Sequence, residues 1–114
     1  MRVLFVCLGN ICRSPLAEAM FRQMVKEHGL SDQITIDSAG TSSEEEGNHP
    51  YPGIQQIMTK YHLDGHQLVS RPITMNDFEQ FDLIIGMDDM NLRHLHAIAP
   101  ADAQSKIHGI YDLT

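Results

Sequence analysis

Apolar positions along the chain come in two rhythms that take turns: short unbroken runs, and longer stretches spaced at three and four. Val3 to Cys7 is β-branched and aromatic without a polar interruption, the pattern of a strand buried on both faces. After a loop through Gly9 and Asn10, the residues Leu16, Ala17, Ala19, Met20, Met24 and Val25 recur at helical spacing. They predict a helix from Pro15 to His28, capped by Gly29. Ile34 to Asp37 reads as a second short strand, followed by the turn-like Ser38-Ala39-Gly40-Thr41. Thr41 to Pro52 is polar, acidic and punctuated by Gly and Pro, hence a surface loop. Ile54, Ile57, Met58 and Tyr61 then mark the inner face of a helix that stops before Gly65. Asn76 to Asp82 fits one or two helical turns, and Leu83 to Gly86 a third strand. Met90, Leu92, Leu95 and Ile98 predict a helix ended by Pro100, and Ile107 to Leu113 a fourth strand.

Strands and helices therefore alternate. That order predicts an α/β fold, a four-stranded parallel sheet with helices on both faces. Such sheets bind ligands beyond the carboxyl ends of their strands, where the loop after Cys7 begins. With 114 residues, the chain suits one domain over residues 1–114, and 42% hydrophobic residues supply its core.

Charge and cysteine content narrow the function. A formal net charge of −7 repels a phosphate backbone, so nucleic acid is not an expected partner. The run Val3 to Leu8 is too short for a signal peptide and no stretch approaches a membrane span. We therefore expect a cytoplasmic protein with no membrane partner. Two cysteines are few for a disulfide framework or a four-cysteine zinc site, which leaves them buried or catalytic. His62 with His66, and His94 with His96, stand as pairs without a third ligand. No metal and no cofactor is expected.

The segment Val6-Cys7-Leu8-Gly9-Asn10-Ile11-Cys12-Arg13-Ser14-Pro15 places a Cys, five residues, an Arg and a Ser between the first strand and the first helix. A short loop closing onto a helix N-terminus turns successive backbone N–H groups inward. Leu8, Gly9, Asn10, Ile11 and Cys12 can thus cradle a tetrahedral dianion, and the helix dipole favours the same charge. Arg13 adds a planar fork that can hold two oxygens of the bound group. In this positive field Cys7 is favoured as a thiolate, an in-line nucleophile beneath a phosphorus atom, and Ser14 can donate a hydrogen bond to it. Gly9 and Asn10 are residue types that tolerate the left-handed backbone of a tight loop.

This decad resembles the signature of the low-molecular-weight protein tyrosine phosphatases, Val-Cys-x-Gly-Asn-x-Cys-Arg-Ser-Pro near the amino terminus. The resemblance continues through Ile36-Asp37-Ser38-Ala39-Gly40-Thr41, Arg71-Pro72-Ile73-Thr74, Asp77-Phe78, Phe81-Asp82, Ile84-Ile85-Gly86-Met87-Asp88 and Asn91, and so spans essentially the whole chain. It implies hydrolysis of phosphotyrosine-like monoesters, on a phosphotyrosine protein or a small aryl phosphate. Cys7 forms a phosphocysteine intermediate and Arg13 binds the phosphoryl oxygens. Asn10, Ser14 and Ser38 hold the loop through side-chain hydrogen bonds. Cys12 matches the family's second cysteine, a reversible disulfide partner for Cys7 on oxidation.

The chain departs from that family in two places. The family's general acid is the Asp of an Asp-Pro pair on a loop after the fourth strand, and no Asp-Pro occurs here. Asp112 matches the end of the fourth strand instead, and the general acid is left unassigned. The expected picture is a C-terminally incomplete domain whose closing helix is missing, leaving an uncovered apolar face open to self-association. In the variable loop beside the pocket, Glu44 stands where the family usually has an aromatic residue. With Glu45 and Glu46 it makes an acidic rim that disfavours acidic phosphopeptides, and Tyr51 is the nearby aromatic available for stacking. Asp88 is read mainly as a helix cap. Two rival readings share the loop: a phosphate- or oxyanion-binding module without turnover, and an arsenate reductase of the same fold. The thioredoxin-coupled form of the latter needs cysteines outside the loop, and the chain has none.

Overall fold

Val3, Leu4, Phe5, Val6 and Cys7 are all buried, so the first strand has no solvent face and occupies the centre of the sheet. In the computed structural model, which describes residues 1–113, β1 (Arg2–Cys7) pairs in parallel with β2 (Thr35–Gly40) and with β3 (Leu83–Gly86). β3 in turn carries β4 (Ile107–Gly109). Thr114, the last residue of the domain read over 1–114, lies outside the described residues. The sheet order is β2-β1-β3-β4. The chain thus leaves β1 toward one side and returns after β2 to the other, which opens a crevice at the carboxyl end of β1.

The described residues form four α-helices: α1 (Arg13–Glu27), α2 (Pro52–Lys60), α3 (Met75–Gln80) and α4 (Asp89–Ile98). Alternate residues of β1 serve opposite faces, as a pleated strand requires. Val3 and Phe5 pack with Ile36, Ile85 and the α1 residues Ala17, Phe21 and Val25, with the Phe5 and Phe21 ring centroids 5.0 Å apart. Leu4 and Val6 pack on the other face with Ile84, Phe78 and Phe81 around α3, and Leu95 of α4. α2 lies outside α1, where a Cβ on Gly65 would fall 3.0 Å from the Ala19 Cβ and 2.9 Å from the Met58 Cε. A reciprocal capping box between Thr74 and Asp77 starts α3, and Asp88 caps α4 by accepting from the Asn91 N–H.

The structure departs from the sequence pattern at element ends. α1 begins at Arg13, ahead of Pro15. β2 runs through Gly40, because Ser38, Ala39 and Gly40 pair with Phe5, Val6 and Cys7, so tertiary pairing overrides their turn preference. β4 ends at Gly109 instead of running to Leu113. The Gly109 N–H is taken by the Asp112 Oδ2 at 3.1 Å, and Ile110–Leu113 curls into a 3-10 turn. A 3-10 segment at Ala101–Lys106, for which the apolar pattern gave no element, tucks Ala103 into the core.

Among the described residues no helix is long and apolar enough to cross a membrane. Met20 and Met24 of α1 are about half exposed, and Leu16, Ala17, Phe21, Met87, Ile110 and Arg13 line with Met20 a groove of about 220 Å³.

Candidate active site

The loop from Cys7 to Arg13 leaves the buried end of β1 and closes on the start of α1. This N-terminus has no side-chain cap, and its first turn carries no acidic residue. The exposed amide groups of a helix start need acceptors, and an anion in the loop supplies them along the favourable end of the dipole. Asn10 makes the reversal, with φ at 58°, in the left-handed region that Asn tolerates better than most residues. Of the two residues that tolerate the left-handed backbone, Gly9 does not adopt it, and its smallness serves a close approach. A Cβ there would stand 3.2 Å from the Glu45 Cγ.

Cys7 is buried at the floor of the loop. Its Sγ lies 2.9 Å from the Ser14 Oγ and accepts the Asn10 backbone N–H at 3.3 Å. The Asn10 Nδ2 donates to the Ser14 Oγ at 2.9 Å and to the Ser38 Oγ at 3.0 Å, while its Oδ1 accepts the Arg71 N–H at 3.0 Å. The residues expected to support the loop are therefore joined in one buried set. Outer contacts fix the loop further: the Ser70 Oγ donates to the Gly9 carbonyl at 2.7 Å, and the Tyr51 N–H to the Ile11 carbonyl at 2.8 Å. Behind it, the Thr41 and Ser42 N–H groups donate to the Cys7 and Leu8 carbonyls at 2.9 and 3.0 Å.

A cavity of about 290 Å³ opens over this floor, lined by Cys7, Leu8, Gly9, Ile11, Cys12, Arg13, Ser42, Glu44 and Glu45. Glu44 and Glu45 of the expected acidic rim are thus part of the wall, and Glu46 is not among the lining residues. Neither is Tyr51; it is exposed and serves the loop through its backbone. The Arg13 guanidinium sits at the mouth and donates to the Asp88 Oδ2 at 2.7 Å. Asp88 consequently does more than cap α4. Its carboxyl is held below the usual carboxylate range by the Asn91 N–H first and by Arg13 second, so it stays an anion that orients Arg13. Burial pushes the Cys12 thiol up, with Cys7 and Glu45 adding to the effect and Arg13 opposing it. Cys7 and Cys12 are both free thiols.

Two contributors escaped the sequence reading. Arg71 links the loop to the fold, donating from its side chain to Asp77 and Asp37 while its backbone holds Asn10. Glu18 lies on the buried face of α1, accepts the Ser38 hydroxyl at 2.6 Å and pairs with Arg22. The available signal was a carboxylate one helical turn after Ser14, flanked by Ala17 and Ala19 on the inner face. Asp112 is turned back on Gly109 and is not among the lining residues. Of the histidines considered as metal ligands, His66 contacts Thr59 at 2.8 Å and His96 contacts Gln104 at 2.5 Å.

A family model described as low molecular weight phosphotyrosine protein phosphatase matches residues 2–113. A curated protein of Rattus norvegicus with that same description is 46% identical over 114 residues, covering 96% of this chain and 72% of the rat protein. The crystal structure of YfkJ from Bacillus subtilis superposes with a TM-score of 0.94 at 40% identity, covering 98% of this chain and 71% of that one. A protein tyrosine phosphatase from Entamoeba histolytica, crystallised with Hepes in its active site, gives a TM-score of 0.94 at 38% identity. The match covers 98% of this chain and 71% of the other.

Proposed function

Because this chain belongs to the low-molecular-weight phosphotyrosine protein phosphatase family, we propose that Cys7 is its nucleophile toward phosphotyrosine-like monoesters. The observation that carries this reading is the Cys7 Sγ at the floor of an uncapped helix N-terminus, 2.9 Å from the Ser14 hydroxyl, with Arg13 at the mouth. The loop amides and Arg13 take the phosphoryl oxygens, more strongly as charge builds in the transition state. The Cys7 thiolate attacks phosphorus, an S–P bond forms, the P–O bond to the aryl group breaks, and the phenolate leaves with a proton from water. Water then attacks the phosphocysteine, releasing phosphate and returning the thiolate, which the Ser14 hydroxyl stabilises as it departs. Leu8, Gly9, Asn10, Ile11 and Cys12 form the cradle, and Ser38 supports it from β2.

A cavity of about 290 Å³ over the Cys7 sulfur has room for an aryl phosphate, free or on a protein tyrosine. Glu44 and Glu45 in the wall disfavour acidic residues next to the phosphate. A thiolate nucleophile works in a reducing compartment such as the cytoplasm, where it is kept from oxidation.

The test is a rapid-mixing experiment with an activated aryl phosphate. Release of the aryl alcohol accompanied by a phosphate adduct on Cys7, both lost in Cys7→Ser and blocked by vanadate, supports the reading. Phosphate binding without any adduct, at any pH, would assign the chain to an oxyanion-binding module instead. Reduction of arsenate with turnover of the Cys7 thiol would assign it to the reductase class.

A further inference from the structure

Below the loop, a run of buried polar groups leads from Cys7 into the core and ends on Glu18. This carboxylate is 1% exposed and takes no part in the chemistry above. The direction of each bond in the run follows from its ends. The Arg71 N–H claims the Asn10 Oδ1, so the amide nitrogen of Asn10 faces the two serines and gives one N–H to each. Each hydroxyl therefore accepts from Asn10 and has a single proton to place. The Ser38 proton goes to the Glu18 Oε1 at 2.6 Å, and the Ser14 proton to the Cys7 sulfur at 2.9 Å. The Glu18 Oε2 is occupied by Arg22, which also donates to the Ile36 carbonyl at 2.8 Å.

We propose that Glu18 is a positioning residue for the nucleophile. By accepting the Ser38 proton it completes the buried chain that holds Asn10 in its left-handed turn and commits the Ser14 proton to Cys7. This rests on the reading of Cys7 as the nucleophile. The requirement for a carboxylate is a matter of counting. Ser38 is 5% exposed and has no solvent to receive its proton, and the permanently charged Arg22 demands an acceptor of its own. Only a group with two acceptor atoms serves both. A glutamine gives its oxygen to Arg22 and turns its amide nitrogen toward Ser38, where two donors then face each other. The charged groups facing Glu18 are Arg22 on its own helix and Asp37 on β2. Desolvation raises the Glu18 carboxyl above its ordinary range, Arg22 opposes that rise and Asp37 adds to it. Protonated Glu18 would meet Ser38 in the same way as glutamine.

The experiment compares the wild-type chain with Glu18→Gln, Ser38→Ala and the double variant. For each, the rate of Cys7 alkylation by iodoacetamide, mapped by mass spectrometry, is followed against pH. The dissociation constant for inorganic phosphate and the urea unfolding midpoint are measured alongside. Glu18→Gln should move the alkylation midpoint to higher pH and weaken phosphate binding about tenfold, the scale of one lost buried hydrogen bond. Ser38→Ala should move the same two readouts. The double variant should be no worse than Ser38→Ala, because the clash of donors is gone. A change confined to the unfolding midpoint, or losses that simply add in the double variant, would overturn the proposal. If Glu18→Gln does not fold, Ser38→Ala alone decides: a wild-type alkylation profile and phosphate affinity refute the chain. These readouts need no turnover. A normal phosphate adduct on Cys7 beside unmoved readouts rejects the role of Glu18 alone, and absence of the adduct from the wild type rejects the phosphatase chemistry.

Discussion

Replacing Gly40 by alanine tests whether the phosphate loop is held in place from behind by β2. Gly40 does not have a positive φ, so backbone conformation is no obstacle to a side chain. Space is the obstacle. A Cβ there would stand 2.8 Å from the Leu8 carbonyl oxygen, 3.1 Å from the Ser42 oxygen and 3.3 Å from the Asn10 Cβ. Two of these are backbone atoms of segments that are themselves tied down, since the Leu8 oxygen accepts the Ser42 N–H at 3.0 Å. Reaching ordinary contact requires the loop to withdraw by about half an ångström. Overpacking of this kind costs about 1–3 kcal/mol, against which the stiffer unfolded chain returns about 0.4–1 kcal/mol. The net expectation is a loss of about 1–2 kcal/mol, read as a fall of several degrees in the thermal midpoint. The loop shift should cost the Cys7 phosphorylation step about tenfold or more, since a misplacement of about 1 Å can cost about a hundredfold. Calorimetry and rapid-mixing assays on Gly40→Ala check both figures. Wild-type stability together with wild-type phosphorylation of Cys7 would refute the idea that β2 sets the position of the loop.

Asn10→Ala should cost about 3 kcal/mol or more, because it removes the three side-chain hydrogen bonds to Ser14, Ser38 and the Arg71 N–H as well as the tolerance for positive φ. Asn10→Gly restores the backbone freedom only. By urea denaturation it should be about 1 kcal/mol more stable than Asn10→Ala, while both bind phosphate equally poorly. Stability should show two opposed responses to acid. Burial acts to raise Asp77, but hydrogen bonds from Arg71 and Thr74 outweigh it and hold the carboxyl low. Asp88 is held low by the Asn91 N–H and Arg13. Their stabilisation is complete above the ordinary aspartate value of about 3.9 and is lost as pH falls through the depressed folded values. Glu18, raised by burial, works the other way: its contribution weakens stability as pH rises from about 4.3 toward its raised folded value. Urea midpoints against pH should therefore show a shallower acid limb in Asp77→Asn, and loss of the opposite slope in Glu18→Gln. At the rim, Glu44→Gln should improve kcat/KM for an acidic phosphopeptide relative to a basic one by about two- to fivefold at low salt. The gain should shrink as salt is added, because an exposed charge is screened.

The local pattern of residues sufficed for the centre of the molecule. An apolar run with no polar break read as an inner strand, and the Cys-x5-Arg-Ser decad between strand and helix placed its chemistry at that strand's carboxyl end. Period and turn chemistry act over a few residues, so they located β3 to the residue and α1 to within two. Element ends were decided elsewhere. Ser38-Ala39-Gly40 has the local look of a turn and is strand because β1 offers six partners, whereas β4 stops at Gly109 because Asp112 takes the amide that would continue the ladder. The same division holds at the site. Cys7, Asn10, Arg13 and Ser14 are neighbours in sequence and were legible together. Ser38, Arg71 and Asp88 reach them from β2, from the chain between α2 and α3 and from the end of β3, at separations that no periodicity encodes, and Glu18, one helical turn after Ser14 on the buried face of α1, joins the set only through Ser38. Hydrogen-bond satisfaction in a buried space is a property of the assembled set. The chain specified a thiol in an anion cradle, and only the folded arrangement decided which protons point at it.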